Sequence, residues 1–389
     1  MYSVTEARER MLSHFQALQT ESIPLIAAAK RVLAQDIAAA HDLPLFDNSS
    51  MDGFAIRSED SSPAATGSRV VLRVVADIPA GEVPKVVLAK GEAARIMTGA
   101  QIPAGSDAVI AVEDTDFTSR AAGIEAPKMV SLNRGVQAGE NVRARGMDMH
   151  TGEIALQKGR ALKPQDLGLL AMLGFGKGEV YKKPRVAMLS SGDELLEAGA
   201  KLEDGKIRDS NSYTLAALLE NDGAEVIRLG VARDTRRSVT TLFEKAVKEQ
   251  ADLILSSAGV SVGAFDFIKE VIESRGELVF WRVNMRPGKP LAFGKYRGIN
   301  FIGLPGNPVS AFVGFEVFVR AVLGRMSGRL DEDRRTVRVR CNEEVRSDGR
   351  ESYLRRGHLL LKAPRPANGC HRGDQPKVGR VNKRTGPFT

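Results

Sequence analysis

The sequence predicts a multidomain α/β plus β protein, in which a β-rich domain precedes a three-layer α/β domain with a mostly parallel sheet. Three observations support this fold class. The chain has 389 residues, too many for one ordinary hydrophobic core. Short β-type runs separated by Gly, Pro and Ser occupy residues 47–146. From Pro184 onward, strand-like and helix-like segments alternate, as in parallel sheets covered by helices.

The first segments of the chain are predicted to be helical. Ser3 and Glu6 have the spacing of a capping box, and apolar residues follow at helical intervals. Further helices are predicted over residues 24–34 and 162–173. In the β-rich segment, strands are predicted at residues 70–75, 86–88 and 108–111.

The pattern after residue 184 predicts five strands and four helices. The strands are expected at residues 185–190, 225–229, 252–256, 278–283 and 299–302, and the helices at 211–221, 236–249, 264–274 and 308–326. Residues 336–341 alternate like a strand of a small C-terminal module. The tail after His358, rich in Pro, Gly and basic residues, is predicted to be disordered.

Charge and composition argue against several functional classes. The formal net charge is +8, but residues 359–389 carry +6 of it, so the body of the chain is nearly neutral and does not indicate nucleic-acid binding. Aromatic residues are only 5%, too few for base-stacking surfaces. The sequence has two cysteines and no recognisable signal peptide or long apolar run, which predicts a cytoplasmic protein without membrane contact.

Ligands of parallel sheets bind beyond the carboxyl ends of the strands. Two such segments have small residues and exposed amides near a helix start, which favour anions: Gly259, Ser261 and Gly263 after the third strand of this sheet, and Pro305, Gly306, Asn307, Pro308 and Ser310 after the last. The first strand runs into Ser190, Gly192, Asp193 and Glu194, where two adjacent carboxylates follow a glycine turn, and Ser190, Gly192 and Asp193 are also expected to contact substrate.

A cationic turn and several acids accompany these segments. Arg282, Arg286 and Lys289 can present positive groups to phosphate-like oxyanions. The acids Asp193, Glu194, Asp234 and Asp266 suggest Mg²⁺ bridging carboxylates to a phosphate. Each of these segments or charged residues, taken alone, is also typical of a tight turn, a helix cap or a surface charge. Their clustering at one edge of one sheet favours a site.

Taken together, these motifs resemble the molybdopterin molybdenumtransferase family, which includes the MoeA proteins and the E domain of gephyrin. The resemblance extends to residue 357 and not into the basic tail. The matching stretches occur in family order: PLFDNSSMDGFAI (44–56), ARIMTGAQIPAGSDAVIAVEDT (94–115), ENVRARGMDM (140–149), SSGDEL (190–195), RDSNSYTLAALL (208–219), SSAGVSVGAFDF (256–267), RPGKPLAFG (286–294) and GLPGNPVSAF (303–312).

The resemblance implies a four-domain homodimer with its active site between subunits. The domains would be an elongated, discontinuous N-terminal domain (1–46 and 147–178), a β-rich insertion (47–146), an α/β molybdopterin-binding domain (179–328) and a small β domain with the tail (329–389). The implied reaction inserts molybdate into adenylylated molybdopterin and releases AMP, with Mg²⁺. The implied protein partners are molybdopterin adenylyltransferase and molybdoenzyme acceptors.

Motif matches also imply roles for individual residues. The implied catalytic residues are Asp52, Thr98, Arg143, Asp148, Glu194, Asp234 and Asp266, and the last three would also hold the metal. Arg282 and Arg286 stand where the family often has lysines, so planar forks replace point charges. Lys289 matches the family's PGKP lysine. Two alternatives remain open: a molybdopterin adenylyltransferase, which the β-rich insertion disfavours, and a non-catalytic scaffold like the gephyrin E domain.

Overall fold

The computed structural model describes residues 1–118, 123–258 and 267–330, and the backbone of Ser352–Tyr353. Its helices are α1 (Val4–Leu12), α2 (Ser58–Ser61), α3 (Pro164–Met172), α4 (Asn211–Asn221), α5 (Arg236–Lys248), α6 (Phe267–Arg275), α7 (Pro308–Gly314) and α8 (Arg320–Met326). Short 3₁₀ turns occur at Leu25–Ala27, Ser62–Thr66 and Val112–Asp114. The π-helical turn Phe315–Val319 joins α7 to α8, so residues 308–326 form the long helix that the sequence predicts.

The strands are short in the first half of the chain and longer after residue 184. They are β1 (Thr20–Pro24), β2 (Ile37–Ala38), β3 (Asn48–Ser49), β4 (Gly53–Ile56), β5 (Val70–Ile78), β6 (Glu92–Ile96), β7 (Ala108–Ala111), β8 (Met129–Leu132), β9 (Val142–Arg143), β10 (Ile154–Leu156), β11 (Lys177–Tyr181), β12 (Arg185–Ser191), β13 (Leu195–Leu196), β14 (Ile207–Arg208), β15 (Glu225–Ala232), β16 (Leu253–Ser257), β17 (Gly276–Arg282), β18 (Met285–Arg286), β19 (Pro290–Tyr296), β20 (Ile299–Leu304) and β21 (Ser352–Tyr353).

The chain divides into two compact units. The first contains Met1–Gln35, Gln157–Ala171 and the chain from Phe175 onward. The second contains Asp36–Leu156 with Met172–Gly174. Each unit has its own sheet and its own buried apolar clusters, so each is described separately below.

The first unit is built on a six-stranded sheet in the order β15-β12-β16-β20-β19-β17. The pairings from β15 to β20 are all parallel, and β19 runs against both of its neighbours. Alternate residues of β12 face opposite sides: Val186 and Met188 pack with α4, and Ala187 and Leu189 pack with α5 and α6. Helices therefore cover both faces, and the predicted mostly parallel three-layer arrangement is confirmed in this part of the chain.

The second unit contains a five-stranded sheet in the order β7-β4-β6-β5-β8. Its interior strand β4 is buried on both faces, with Phe54 in one apolar cluster and Ala55 in another. Two-stranded pairs β3–β9 and β2–β10 extend the unit. The β-rich character predicted from the turn residues is thus observed, although most of its strands have five residues or fewer.

Two predicted elements are wrong. Residues 24–34 form no α-helix despite their alanines, and only the 3₁₀ turn Leu25–Ala27 is helical. Their backbone bonds to other segments instead: Lys30 N donates to Leu162 O, and Ala34 N donates to Glu179 O. These tertiary bonds override local helix propensity. Residues 86–88 form no strand, and only Val87 makes an isolated bridge, to Ala104. The predicted strand 336–341 and basic tail lie outside the described residues, as do residues 264–266 of the predicted helix that is observed as α6.

The capping box predicted at the N-terminus is confirmed. Ser3 Oγ accepts a hydrogen bond from Glu6 N at 3.2 Å, and Ser3 N donates to Glu6 Oε2 at 2.8 Å. Across residues 1–118, 123–258 and 267–330, no helix combines the length and apolar character needed to cross a membrane.

Candidate functional site

The carboxyl ends of four parallel strands meet at one edge of the α/β sheet. Ser190 of β12 is in register with Ser257 of β16, and Ser257 is in register with Leu304 of β20. On the other side, Ser191 pairs with Ala232 of β15. The segments that follow these strands are therefore neighbours, as ligand-binding edges of parallel sheets require.

Asp193 and Asp234 join the ends of β12 and β15. Asp193 N donates to Asp234 Oδ2 at 3.4 Å, and Asp234 N donates to Asp193 Oδ1 at 3.3 Å. Ser191 Oγ donates to Asp234 Oδ1 at 3.4 Å. These bonds are longer than ordinary N–H···O and O–H···O bonds, so they compete only weakly with a cation for the carboxylate oxygens. Asp193 is exposed and Asp234 half-buried.

Glu194 lies in the same turn. Gly192 adopts a φ of +148° and packs against the Glu194 carboxylate, where a Cβ would lie 2.8 Å from Glu194 Oε1. A side chain at position 192 would therefore displace this carboxylate. Lys206 Nζ donates to Asp193 O at 2.5 Å, and Ile207 N donates to Glu194 O at 2.8 Å. The backbone of the Asp193–Glu194 turn is thus held by the segment that leads into α4.

The turn after β20 begins a helix as predicted. Asn307 is the N-cap of α7, with its side-chain oxygen accepting from Ser310 N at 3.2 Å, and Pro308 is the first helical residue. Gly306, Asn307 and Pro308 are exposed, whereas Pro305 and Ser310 are buried. Amides at such a helix start favour anions.

The cationic residues lie beside this turn. Arg282 ends β17 opposite Pro290 of β19, and Ala292 of β19 pairs with Gly303 of β20. A Cβ built on Gly288 would lie 3.7 Å from Ser310 O, which places the 286–289 turn against the first turn of α7. Arg282, Arg286 and Lys289 are all exposed. The structure therefore brings the predicted cationic turn next to the predicted anion-binding turn after β20.

Two serine hydroxyls are buried at this edge. Ser190 is 1% exposed and Ser256 is fully buried. Within the described ranges, neither Oγ has a hydrogen-bonding partner. A buried unpaired hydroxyl is costly, and such groups are candidates to contact a bound molecule. Ser190 was expected to bind substrate from its motif, whereas Ser256 was not.

The predicted metal ligands are only partly described. Gly259, Ser261, Gly263 and Asp266 lie outside the described residues. Among the residues that are described, no group of three His, Cys, Asp or Glu side chains is arranged to hold a metal ion. Mg²⁺, however, commonly uses one or two carboxylates together with substrate phosphates and water. Glu194 and Asp234 supply carboxylates of that kind, so the donor chemistry fits.

The second unit holds the other predicted catalytic residues. Asp52 Oδ1 accepts hydrogen bonds from both Thr98 N and Thr98 Oγ1, each at 2.7 Å. Arg143 and Asp148 form an ion pair of 2.5 Å and are about half exposed. Ser49 lies between the two pairs, because its N and O bond to the 99–100 turn while it pairs with Val142. Both pairs therefore flank β3 within one unit.

Asp42 anchors the segment that carries Asp148. The Thr151 backbone N–H, the Thr151 hydroxyl and the Arg145 guanidinium lower the pKa of Asp42 to about 2. Arg145 Nε lies 2.7 Å from Asp42 Oδ2. A lowered carboxyl pKa gives stability that is present above the unfolded-state pKa and is lost as pH falls through the folded-state value.

This linkage predicts a pH-dependent effect of Asp42→Asn. We expect the variant to unfold at lower urea concentration than the unsubstituted chain above about pH 5. The difference should shrink as pH falls from about 4 toward about 2, because Asp42 then becomes protonated in both states. Urea titrations at several pH values measure it. A difference that stays constant over this range would contradict the assigned cause.

Comparisons with known proteins agree with the arrangement. Residues 2–174 match the family described as "MoeA N-terminal region (domain I and II)", and residues 187–325 match "Probable molybdopterin binding domain". The molybdopterin molybdenumtransferase of Haemophilus influenzae is 39% identical over 333 residues, covering 85% of this chain and 78% of that protein. The protein of the same name from Staphylococcus aureus (strain COL) is 37% identical over 329 residues, covering 84% and 76%.

A solved structure supports the same assignment. The crystal structure of the molybdopterin biosynthesis MoeA protein from Pyrococcus horikoshii OT3 matches with a TM-score of 0.69 and 33% identity, covering 85% of this chain and 81% of that chain. The resemblance identified from the sequence motifs is therefore confirmed over most of the chain. On the identity and coverage of these relatives, the chain belongs to the molybdopterin molybdenumtransferase family.

Proposed function

We propose that this chain inserts molybdate into adenylylated molybdopterin and releases AMP, completing the molybdenum cofactor. One observation carries the proposal: three features lie together at one edge of the sheet. They are the hydrogen-bonded pair Asp193 and Asp234, the helix start capped by Asn307, and the cationic turn at 286–289. Acids, amides and cations at one edge suit a substrate that carries phosphates, and a molybdate oxyanion.

Each group has a distinct task in this proposal. The amides that open α7, with Arg282, Arg286 and Lys289, bind the pterin phosphate and molybdate. Glu194 and Asp234, together with Asp266, hold Mg²⁺, which supplies charge neutralisation at the adenylate phosphates when bound. The protein forms no covalent bond to substrate in this scheme, so positioning and electrostatic stabilisation provide the rate enhancement.

The proposal includes a homodimer in which Asp52, Thr98, Arg143 and Asp148 of one subunit complete the site of the other. It also includes the domain division at residues 46, 146, 178 and 328, a cytoplasmic location, and protein contacts with molybdopterin adenylyltransferase and molybdoenzyme acceptors. The exposed positions of Asp52 and Thr98 support a role at a surface.

Reconstitution tests the function directly. Purified protein is mixed with adenylylated molybdopterin, molybdate and Mg²⁺, and AMP release is measured with molybdate omitted as the control. Molybdate-dependent AMP release supports the proposal. ATP consumption on non-adenylylated molybdopterin without molybdate would instead indicate an adenylyltransferase, and binding with neither activity would indicate a scaffold.

The charge of Asp52 can be separated from its structural hydrogen bonds. In Asp52→Asn the side-chain oxygen still accepts from Thr98 N and Oγ1, so the free energy of unfolding should change by less than about 1 kcal/mol. If the carboxylate acts in the reaction, kcat should fall at least about tenfold. Urea unfolding and AMP release are measured on the same sample. Unchanged kcat would leave Asp52 only its role in holding the Thr98 turn.

A further inference from the structure

Asn211, the first residue of α4, lies beneath the proposed site and is 8% exposed. Its side-chain Nδ2 donates two hydrogen bonds, to Ser257 Oγ and to Gly306 O, each at 2.8 Å. Ser257 is the last residue of β16, and Gly306 lies in the turn after β20. One buried amide therefore joins the ends of two strands, and both of its N–H donors are used.

A second contact holds the same two segments together. Ala258 N donates to Leu304 O at 3.0 Å. Ala258 has a φ of +69°, in the left-handed region that residues with a Cβ rarely adopt. A Cβ on Gly306 would lie only 3.1 Å from the Ala258 Cβ, so the turn packs tightly against Ala258. The surrounding contacts thus hold a backbone conformation that is unfavourable by itself.

The Asn211 side chain is not needed as a cap for its own helix. Ser212 N, in the first turn of α4, donates to Asp209 Oδ1 at 3.0 Å, and Asp209 is buried. The Asn211 amide instead points away from α4 and bonds to two other segments. The Asn211 side chain therefore holds these two segments relative to each other and does not stabilise the start of α4.

We propose that Asn211 is a positioning residue: it fixes the Gly306 turn against the end of β16, so that the amides opening α7 meet the oxyanion in one set geometry. The catalytic part of this inference rests on the proposed function, whereas the link between the two segments does not. Small displacements of positioned groups reduce rates strongly, by about 10²-fold for about 1 Å.

Asn211→Asp tests the donor role with almost no change in shape. A carboxylate cannot donate to the Gly306 carbonyl, but a protonated carboxyl can, and burial raises the pKa of such a group. At about pH 8 we expect faster amide hydrogen exchange in residues 304–310 than in the unsubstituted chain, and kcat/KM for molybdate lowered about ten- to hundredfold. KM should carry much of the loss. Both differences should diminish at about pH 5.

Two further variants make the test specific. Asn211→Ala should show the same loss at about pH 8 without recovery at about pH 5, since alanine has no donor. Asn221→Asp makes the same substitution at the exposed last position of α4 and should leave both readouts close to those of the unsubstituted chain. Thermal melts confirm that all variants fold.

The outcomes separate the two proposals. Unchanged exchange over residues 304–310 in both Asn211 variants would overturn the link. Equal losses in Asn211→Asp and Asn211→Ala at both pH values would overturn the donor role. If exchange rises in the variants but the unsubstituted chain releases no AMP, the link stands and the proposed function fails.

Discussion

Replacing Asp234 with asparagine is expected to lower the rate of molybdate-dependent AMP release by about 10²–10³, the usual loss when one preorganised charged group is removed. Within the described residues, the hydrogen bonds that the Asp234 carboxylate accepts are long, from Ser191 Oγ and Asp193 N at 3.4 Å. The substitution therefore removes a negative charge at the carboxyl-end edge of the sheet while weakening only these long hydrogen bonds. The Mg²⁺ concentration for half-maximal rate should also rise, since magnesium prefers anionic oxygens.

A matched control lies at the start of β15, the strand that Asp234 follows. Glu225 begins β15 at the opposite edge of the sheet, where it pairs with Arg185 at 3.2 Å and is 54% exposed. Glu225→Gln removes the same charge at the other end of β15, away from the proposed site. It should leave AMP release unchanged, and it should change folding stability little, because exposed ion pairs contribute roughly 0–1 kcal/mol to it. If Asp234→Asn retains the full rate and the same Mg²⁺ dependence, Asp234 has no role in holding the metal.

The α/β elements were predictable because their strands are unbroken apolar runs and their helices carry clear start and stop residues. α4 was predicted at its observed bounds. β19 was missed, because it begins with a proline and joins β20 through Arg297 and Gly298, both with positive φ. A hairpin turn of that kind usually has Asn or Asp at the first position, so Arg297 gave no signal.

Local propensity failed where tertiary bonds decide the structure. Residues 24–34 have the alanines of a helix, but Lys30 and Ala34 satisfy their amides on the 160–162 and 177–181 segments. No local pattern encodes those partners, which lie more than a hundred residues away in sequence. The sequence of residues 24–34 therefore shows no alternative structure to the predicted helix.

The candidate site was predictable in its parts and less so in their contacts. The Asn307 cap follows from residue type, since asparagine before proline at a helix start has a known geometry. The bond between Asp193 and Asp234 depends on β15 lying beside β12, which the chain order does not fix. Asn211 was missed, because a polar residue at a helix start is ordinarily assigned to capping.

A large effect on folding is expected from Gly53→Ala in β4, an interior strand of the second unit's sheet. A Cβ at Gly53 would overlap the Ile110 carbonyl oxygen and lie 3.0 Å from the Ile110 carbonyl carbon. These are backbone atoms of the paired strand β7, so relief requires moving the strand rather than a side chain. We expect a loss of about 3 kcal/mol in the free energy of unfolding, at the upper end of overpacking costs.

The readout must report on that unit itself. The only tryptophan is Trp281, and all five tyrosines lie in the first unit, so intrinsic fluorescence would miss the change. Hydrogen exchange of the peptides covering Gly53–Ile56 and Ala108–Ala111 should instead show faster exchange in the variant.

Gly168→Ala is the matched control, since Gly168 lies inside α3 with open space at its Cβ. That change should stabilise by about 0.5–1 kcal/mol, because alanine favours the helix. Equal, unchanged exchange in both variants would show that β4 and β7 do not pack as closely as described.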